Sequence, residues 1–211
     1  MIIQARELDA ESTYKLLTGV VVPRPIAWVS TRSAGGVVNV APFSAFTFVS
    51  NKPPMLGINI GRKAGRRKDT ANHILATREY VVHIADMALT ESVHASAVEH
   101  PPEVSEAELL GLDTVASLHV GVPRLTAPPV AMECRLHSVT PYGDTGAEFF
   151  VGEVLCWHVR DGLLRQGKID STELDPVCRL GGPTYAALGR TVRLAPISQT
   201  AKTVIGPGEA G

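Results

Sequence analysis

The segment Asn39-Val-Ala-Pro-Phe-Ser-Ala-Phe-Thr-Phe-Val-Ser50, followed by Asn51-Lys-Pro-Pro54, limits what this chain can fold into more than any other. It opens with strand residues, meets a proline, and then carries three phenylalanines and three hydroxyl side chains before a double proline. Pro42 removes a ladder donor, which suits an edge or a bulge rather than a central strand. Backbone N–H groups near Pro42 are therefore expected to be left for something that is not protein, and the segment reads as one wall of a ligand site.

Strands sufficient to build a sheet around that wall lie on both sides of it. Residues 26–31 and 37–40 form a hairpin through Ser33-Ala-Gly-Gly36, so the wall continues the hairpin's second arm, and residues 55–60 follow as a third apolar strand. Further strands are expected at 2–8, 80–84, 130–140 and 149–158, the last two joined by the turn Gly143-Asp-Thr-Gly146. Along 130–140, Ala131, Glu133, Arg135 and His137 fall on one side and Met132, Cys134 and Leu136 on the other. Helices are expected at 9–17, capped by Asp9 or Ser12 and stopped by Gly19, at 69–78, at 89–97, and after the capping box Ser105-x-x-Glu108. With 19 glycines and 15 prolines in 211 residues, turns dominate and a helical bundle is excluded. Long adjacent strands with helices outside predict one mainly β domain over 1–195, closed or nearly closed into a barrel. The small and polar residues of 196–211 read as a tail, frayed or packed on a partner subunit.

Charge and cysteine usage narrow the function classes. Twenty Lys and Arg against 21 Asp and Glu give no global basic excess, so nucleic acid is not an expected partner. Cys134, Cys156 and Cys178 match neither a disulfide framework nor zinc-ligand spacing and read as reduced thiols. His137 and His158 read as cross-strand or core-edge residues, because no second metal ligand sits at an interpretable spacing, and His94 reads as a surface residue. No apolar run reaches the length of a membrane span, and a cytoplasmic protein with no membrane partner is expected.

Three stretches carry the candidate chemistry. Arg62, Lys63, Arg66, Arg67 and Lys68 precede the helix start Asp69-Thr70, which reads either as a solvated loop or as a phosphate site built on free helix N–H groups. Arg179-Leu-Gly-Gly-Pro-Thr-Tyr185, with Gly181 and Gly182 at its centre, reads either as a surface turn or as a strap approaching a flat ligand. The loop from 99 to 111 reads as a lid or as ordinary connection. Arg24, held between Pro23 and Pro25, points at a ligand or at a carboxylate. Neither a nucleophile–base pair nor paired carboxylates are visible, so a cofactor would have to carry the reactive atom.

The ordered blocks Pro23-Arg-Pro-Ile-Ala-Trp-Val-Ser-Thr31, Gly36, Asn39, Ala41-Pro-Phe-Ser44, Ser50, Pro53-Pro54 and Lys68-Asp-Thr70 resemble the flavin reductase-like, FMN-binding split-barrel family of the flavoredoxin type. Pro129-Val-Ala-Met-Glu-Cys134, Gly152-Glu-Val154 with His158, and Arg179-Leu-Gly-Gly182 with Tyr185 are similar to its later blocks. The resemblance implies a six-stranded Greek-key split β-barrel with peripheral helices, a homodimer, and FMN held non-covalently near the subunit interface. It also implies that the phosphate meets Lys68, Asp69 and Thr70 with help from Arg62 and Arg66. Backbone around Asn39, Ala41, Pro42, Phe43 and Ser44 would line the isoalloxazine, and the strap would bring Gly181. The implied activity is NAD(P)H-dependent flavin reduction that passes electrons to flavin or to a partner oxygenase. A non-catalytic electron carrier and a scaffold that has lost flavin are the alternatives. No catalytic residue is assigned, and His158 and Tyr185 are singled out by family position alone.

Overall fold

Seven antiparallel strands form the central sheet of the computed structural model, which describes residues 1–203. They are β1 (Ala27–Arg32), β2 (Val38–Phe43), β3 (Phe46–Asn51), β4 (Pro54–Ile60), β5 (Glu79–Ile84), β6 (Val130–Tyr142) and β7 (Ala147–Val159). Hydrogen bonding runs in the order β2-β1-β5-β6-β7-β4-β3. The two ends of this order are consecutive in the chain, with only Ser44 and Ala45 between them. A sheet whose outer strands are joined by two residues curls round, and the Ala45 carbonyl accepts the Asn59 N–H at 2.8 Å, tying the corner to β4. The result is mainly β, with α1 (Ala10–Val20), α2 (Asp69–Thr77), α3 (Thr90–Ala95) and α4 (Glu106–Leu109) outside the sheet. The sequence reads the stretch 39–50 as the hairpin's second arm, interrupted at Pro42, and the family resemblance implies six strands. The corner after Phe43 splits that arm in two, and the central sheet has seven strands.

Alternation decides what is buried. Val29, Phe43, Ile58, Tyr80, Val82, Met132, Cys134, Phe150 and Val154 fill the barrel, and α2 adds Ala71 and Ile74. A second cluster, with Trp28, Val40, Val93, Ala107 and Leu125, packs α3 and α4 against the opposite face of β1 and β2. Two local expectations differ from the structure. Residues 2–8 hold only a single helical turn at Ala5–Glu7, because no neighbouring strand is there to pair with them. Helix α1, capped by Asp9 through the Ser12 N–H at 2.7 Å, runs through Gly19 to Val20, so Gly19 does not end it.

Past the family-like tyrosine, residues 187–203 are exposed and form neither helix nor strand. They include the first part of the expected tail. Residues 204–211 of that tail lie outside the described residues.

Gly152 shows why one position of β7 accepts no side chain. The fully buried Tyr80 lies across it from β5, and a Cβ at 152 would overlap the tyrosine hydroxyl and ring. That ring is rigid and surrounded by close-packed core, so it has nowhere to retreat. Gly152→Ala is expected to destabilise the fold by about 1–3 kcal/mol or more, measured by urea unfolding. The Tyr80 hydroxyl is buried without a hydrogen-bond partner. Tyr80→Phe is therefore expected to be neutral or stabilising in the same assay, because it removes a polar group that gains nothing from burial.

Candidate functional site

A cleft of about 430 Å³ opens between the outer edge of β2 and the chain around 96–106. Asn39, Ala41, Pro42 and Phe43 form one wall; Lys63, Arg66, Lys68, Asp69 and Thr70 form its charged end; Val98, Glu99, His100, Pro102 and Glu106 face them. Strand parity explains the first wall. Val40 and Val38 turn their N–H and C=O away from β1, and the same parity places the Pro42 nitrogen on that outer edge, where no ladder bond is lost. The outer groups are not left free as the sequence suggests. Glu106 Oε2 accepts the Val40 N–H at 3.1 Å, and Ser105 Oγ donates to the Val38 carbonyl at 2.8 Å. The segment from 99 to 111 is thereby docked along β2, and it builds the opposing wall.

Asn39 works behind the cleft surface. Its side-chain nitrogen donates to Thr70 Oγ1 at 3.0 Å and to Thr31 Oγ1 at 3.4 Å, and Thr31 in turn meets His73 Nδ1 at 3.1 Å. These bonds hold the first turn of α2 against β1 and β2. Lys68 occupies the N-cap position in extended conformation with no side-chain cap, so the first-turn N–H groups remain available to an anion in the cleft.

The five basic residues separate by partner. Arg67 binds Glu148 through two bonds of 2.8 and 2.7 Å, which lower the Glu148 pKa. Arg62 spans the Gly146 and Gly65 carbonyls and lies 3.8 Å from the same carboxylate. Lys63 pairs with Glu99 across the cleft. Among the described residues, Arg66 and Lys68 enter no ion pair. The Lys68 ammonium stands 5.8 Å from the Phe43 ring centroid, and partial desolvation followed by the neighbouring Lys63 charge lowers its pKa. An anion placed here would relieve that like-charge contact.

Eight of the eleven residues singled out from the sequence meet in the cleft; Ser44, Arg62 and Gly181 do not line it. Ser44 Oγ accepts from Arg24 Nε at 3.2 Å, while the two terminal nitrogens of Arg24 donate to the Thr18, Val21 and Leu180 carbonyls at 2.8 Å each. Arg24 thus points at neither a carboxylate nor the cleft, and it fastens the corner, the end of α1 and the strap together. Gly181 lies against the Thr18 carbonyl. Tyr185 latches the strap, accepting from Arg179 Nη1 at 2.7 Å and meeting His94 Nδ1 at 3.0 Å. Sequence reading missed Glu106 and His100; the capping box pointed only to a helix start, and its register against β2 is a tertiary fact.

A second polar group lies on β6 and β7, away from the cleft. His158 Nε2 donates to Glu133 Oε1 at 2.7 Å and is 3.6 Å from Cys156 Sγ. Burial would raise the Glu133 pKa, but the Leu118 N–H, His158 and the His119 N–H together hold it at about 2. Sequence reading found no second ligand-type residue for His158. A Cys-x-His pair on one strand face opposite a glutamate was the available signal. Nearby, the fully buried His83 accepts the Leu125 N–H on Nε2 at 2.9 Å, so its Nδ1 carries the proton and donates to the Trp28 carbonyl at 2.8 Å.

A curled antiparallel barrel with a cleft that joins an anion-seeking helix start to an apolar wall defines a small-molecule-binding protein. Residues 19–173 match the flavin reductase like domain, and the chain belongs to that family. An uncharacterised protein of Halalkalibacterium halodurans is 43% identical over 192 residues, covering 89% of this chain and 92% of that one. Nitrilotriacetate monooxygenase component B from Bacillus cereus superposes with a TM-score of 0.89 at 36% identity, covering 92% of this chain and 98% of its own. The 2-nitrobenzoate 2-nitroreductase of Pseudomonas fluorescens gives 0.85 at 30% identity, covering 96% and 99%. The fold is the split barrel of flavin reductase-like proteins. No helix among the described residues is long and apolar enough to cross a membrane.

Burial holds the folded pKa of His83 near 4, against an ordinary value of 6.5. The unfolded chain takes up this proton near pH 6.5 and the folded chain only near pH 4. This contribution to stability is therefore complete above pH 6.5 and is lost as pH falls toward 4, by on the order of 3 kcal/mol. Denaturant unfolding between pH 7 and pH 4 should show that loss, and the His83 imidazole resonance should not titrate above about pH 5. A His83 resonance that titrates near 6.5 in the folded protein would contradict the assignment.

Proposed function

We propose that this chain binds FMN non-covalently in the cleft and catalyses NAD(P)H-dependent flavin reduction, delivering electrons to flavin or to a downstream acceptor such as a partner oxygenase. The observation that carries the reading is the pairing of Arg66 and Lys68, two cations that enter no ion pair among the described residues, with the uncapped start of α2 at one end of the cleft. A phosphate monoester matches that donor set: two cations, the Thr70 hydroxyl and helix N–H groups. The wall formed by Asn39, Ala41, Pro42 and Phe43 offers apolar side chains to a planar ring, and the cleft volume lies within the range of about 300–1,000 Å³ usual for small-molecule sites.

Bound FMN supplies the hydride-accepting chemistry that the side chains lack. The chain's own residues do the positioning. Arg66 and Lys68 hold the phosphate, Asn39 keeps Thr70 and the helix start in register, and Glu106 keeps the opposing wall closed on β2. Pro42 and Phe43 exclude water from the ring face. No general acid or base is required for hydride transfer itself. The likeness to a monooxygenase component supports an oxygenase as the acceptor's class.

A homodimer completes the proposal. Helix α1 buries none of its residues and exposes Tyr14, Leu17 and Val20, and β3 exposes Phe48 at 73%. Apolar surface of this kind on strand and helix is suited to a second copy. The strap with Gly181 and the corner with Ser44, which stand outside the cleft of one chain, are then placed to act at the subunit boundary. In this reading the exposed residues 196–203, which form neither helix nor strand, stand outside the domain.

Lys68→Ala, alone and with Arg66→Ala, is expected to weaken FMN by at least about 10-fold while leaving riboflavin nearly unchanged, because only FMN carries the phosphate. Titration of both flavins by fluorescence quenching checks this, and equal losses for both would remove the phosphate assignment. Steady-state oxidation of NADH and NADPH with added FMN tests the activity, and no turnover with either nucleotide would favour the electron-carrier reading.

A further inference from the structure

The group on β6 and β7 owes its geometry to a break in strand parity. Cys134 pairs with Val154, but the next pair is Glu133 with Cys156, so Leu155 is an extra residue bulged out of the ladder. Phe150 and Val154 point into the barrel core. Without the bulge, Cys156 and His158 would follow them inward; with it they share a face with Glu133. One donor atom from each of Glu133, Cys156 and His158 lies within 4.8 Å of the other two.

We propose that Glu133, Cys156 and His158 form a binding site for a zinc-class divalent cation, separate from the flavin cleft, with the fourth position open to solvent. Carboxylate, thiolate and imidazole are the donors that such an ion takes. Around a tetrahedral ion with bonds of about 2.0–2.3 Å, neighbouring donors stand roughly 3.3–3.6 Å apart. The Nε2 to Sγ separation is already 3.6 Å, and the Nε2 to Oε1 separation of 2.7 Å must widen by only about half an ångström as an ion replaces a shared proton.

The outer support is also present. Glu133 is fully buried, and the backbone N–H groups of Leu118 and His119 bond its two oxygens at 2.7 and 2.6 Å, fixing the carboxylate as supporting bonds fix metal ligands. The His158 side chain is 20% exposed, which leaves a path for the ion and for a water ligand. On binding, the thiol proton leaves to solvent and the imidazole proton moves from Nε2 to Nδ1, which frees Nε2 to bind the ion while the ring stays neutral. Two anionic donors and one neutral imidazole then balance the dication. Burial and the neighbouring Glu133 carboxylate push the Cys156 thiol pKa up, so the ion itself has to displace the thiol proton.

The test uses the full chain, treated with chelator, given one equivalent of Zn²⁺ and passed through gel filtration. We expect one zinc per chain, with one sulfur neighbour at about 2.3 Å in its X-ray absorption spectrum. Cys156→Ser is expected to lose the sulfur neighbour and to bind at least about 10-fold more weakly while still binding FMN. In the wild-type chain, which needs no variant to fold, Zn²⁺ should protect Cys156 from alkylation. Zinc that washes off the wild-type chain, zinc without a sulfur neighbour, or unaltered zinc binding in Cys156→Ser would each overturn the proposal. None of these outcomes depends on whether the cleft holds flavin.

Discussion

A strand presents its side chains to alternate faces and its backbone groups to alternate edges, and this protein is organised by where that alternation is kept and where it is interrupted. Kept along β2, it gives Asn39 and Ala41 ladder bonds to β1 and turns Val38, Val40 and Pro42 outward. That outer edge is then available to Ser105 and Glu106, so the barrel's open side is covered by side chains rather than by another strand. Interrupted after Phe43, it yields the two-residue corner that carries the chain from one end of the sheet order to the other. Interrupted again at Leu155, it turns a cysteine and a histidine away from the core.

Charge compensation then decides which basic residues serve the cleft. Glu148, nearly buried, draws Arg67 into a two-point contact and Arg62 into its vicinity, since a buried carboxylate without a partner would be costly. Glu99 draws Lys63. Arg66 and Lys68 remain, adjacent to an uncapped helix start. A run of five cations in sequence therefore resolves into a stabilising clamp and a much smaller anion pole. Arg24 follows the same logic in reverse: enclosed by carbonyl oxygens, it acts as a fastener between elements far apart in sequence.

Much of the strand content and the helix start at 69 was legible because hydrophobic alternation, turn residues and capping are local. The stretches 39–50, 62–70 and 179–185 stand out in the sequence because each departs from what a plain strand or loop requires; parts of the first two meet in the cleft, and the third does not line it. Glu106 was not legible as a cleft residue, since nothing near it in sequence says which edge it meets. The strap around Gly181 could not be located either; its composition suits close approach to any backbone, and in the structure that backbone is the end of α1.

From its sequence alone, the chain determines a mainly β domain, a proline-broken wall, a basic approach to a helix, and the family to which the ordered motifs belong. These follow from periodicity, backbone restriction and side-chain chemistry, all of which act over a few residues. Only the tertiary structure decides which arginines are already spent, that Arg24 binds carbonyls, that the 99–111 segment forms the second wall, and that Glu133 meets Cys156 and His158. Those outcomes depend on strand register and on one bulged residue. A shift of a single position exchanges the two faces of a strand, and no local pattern records it.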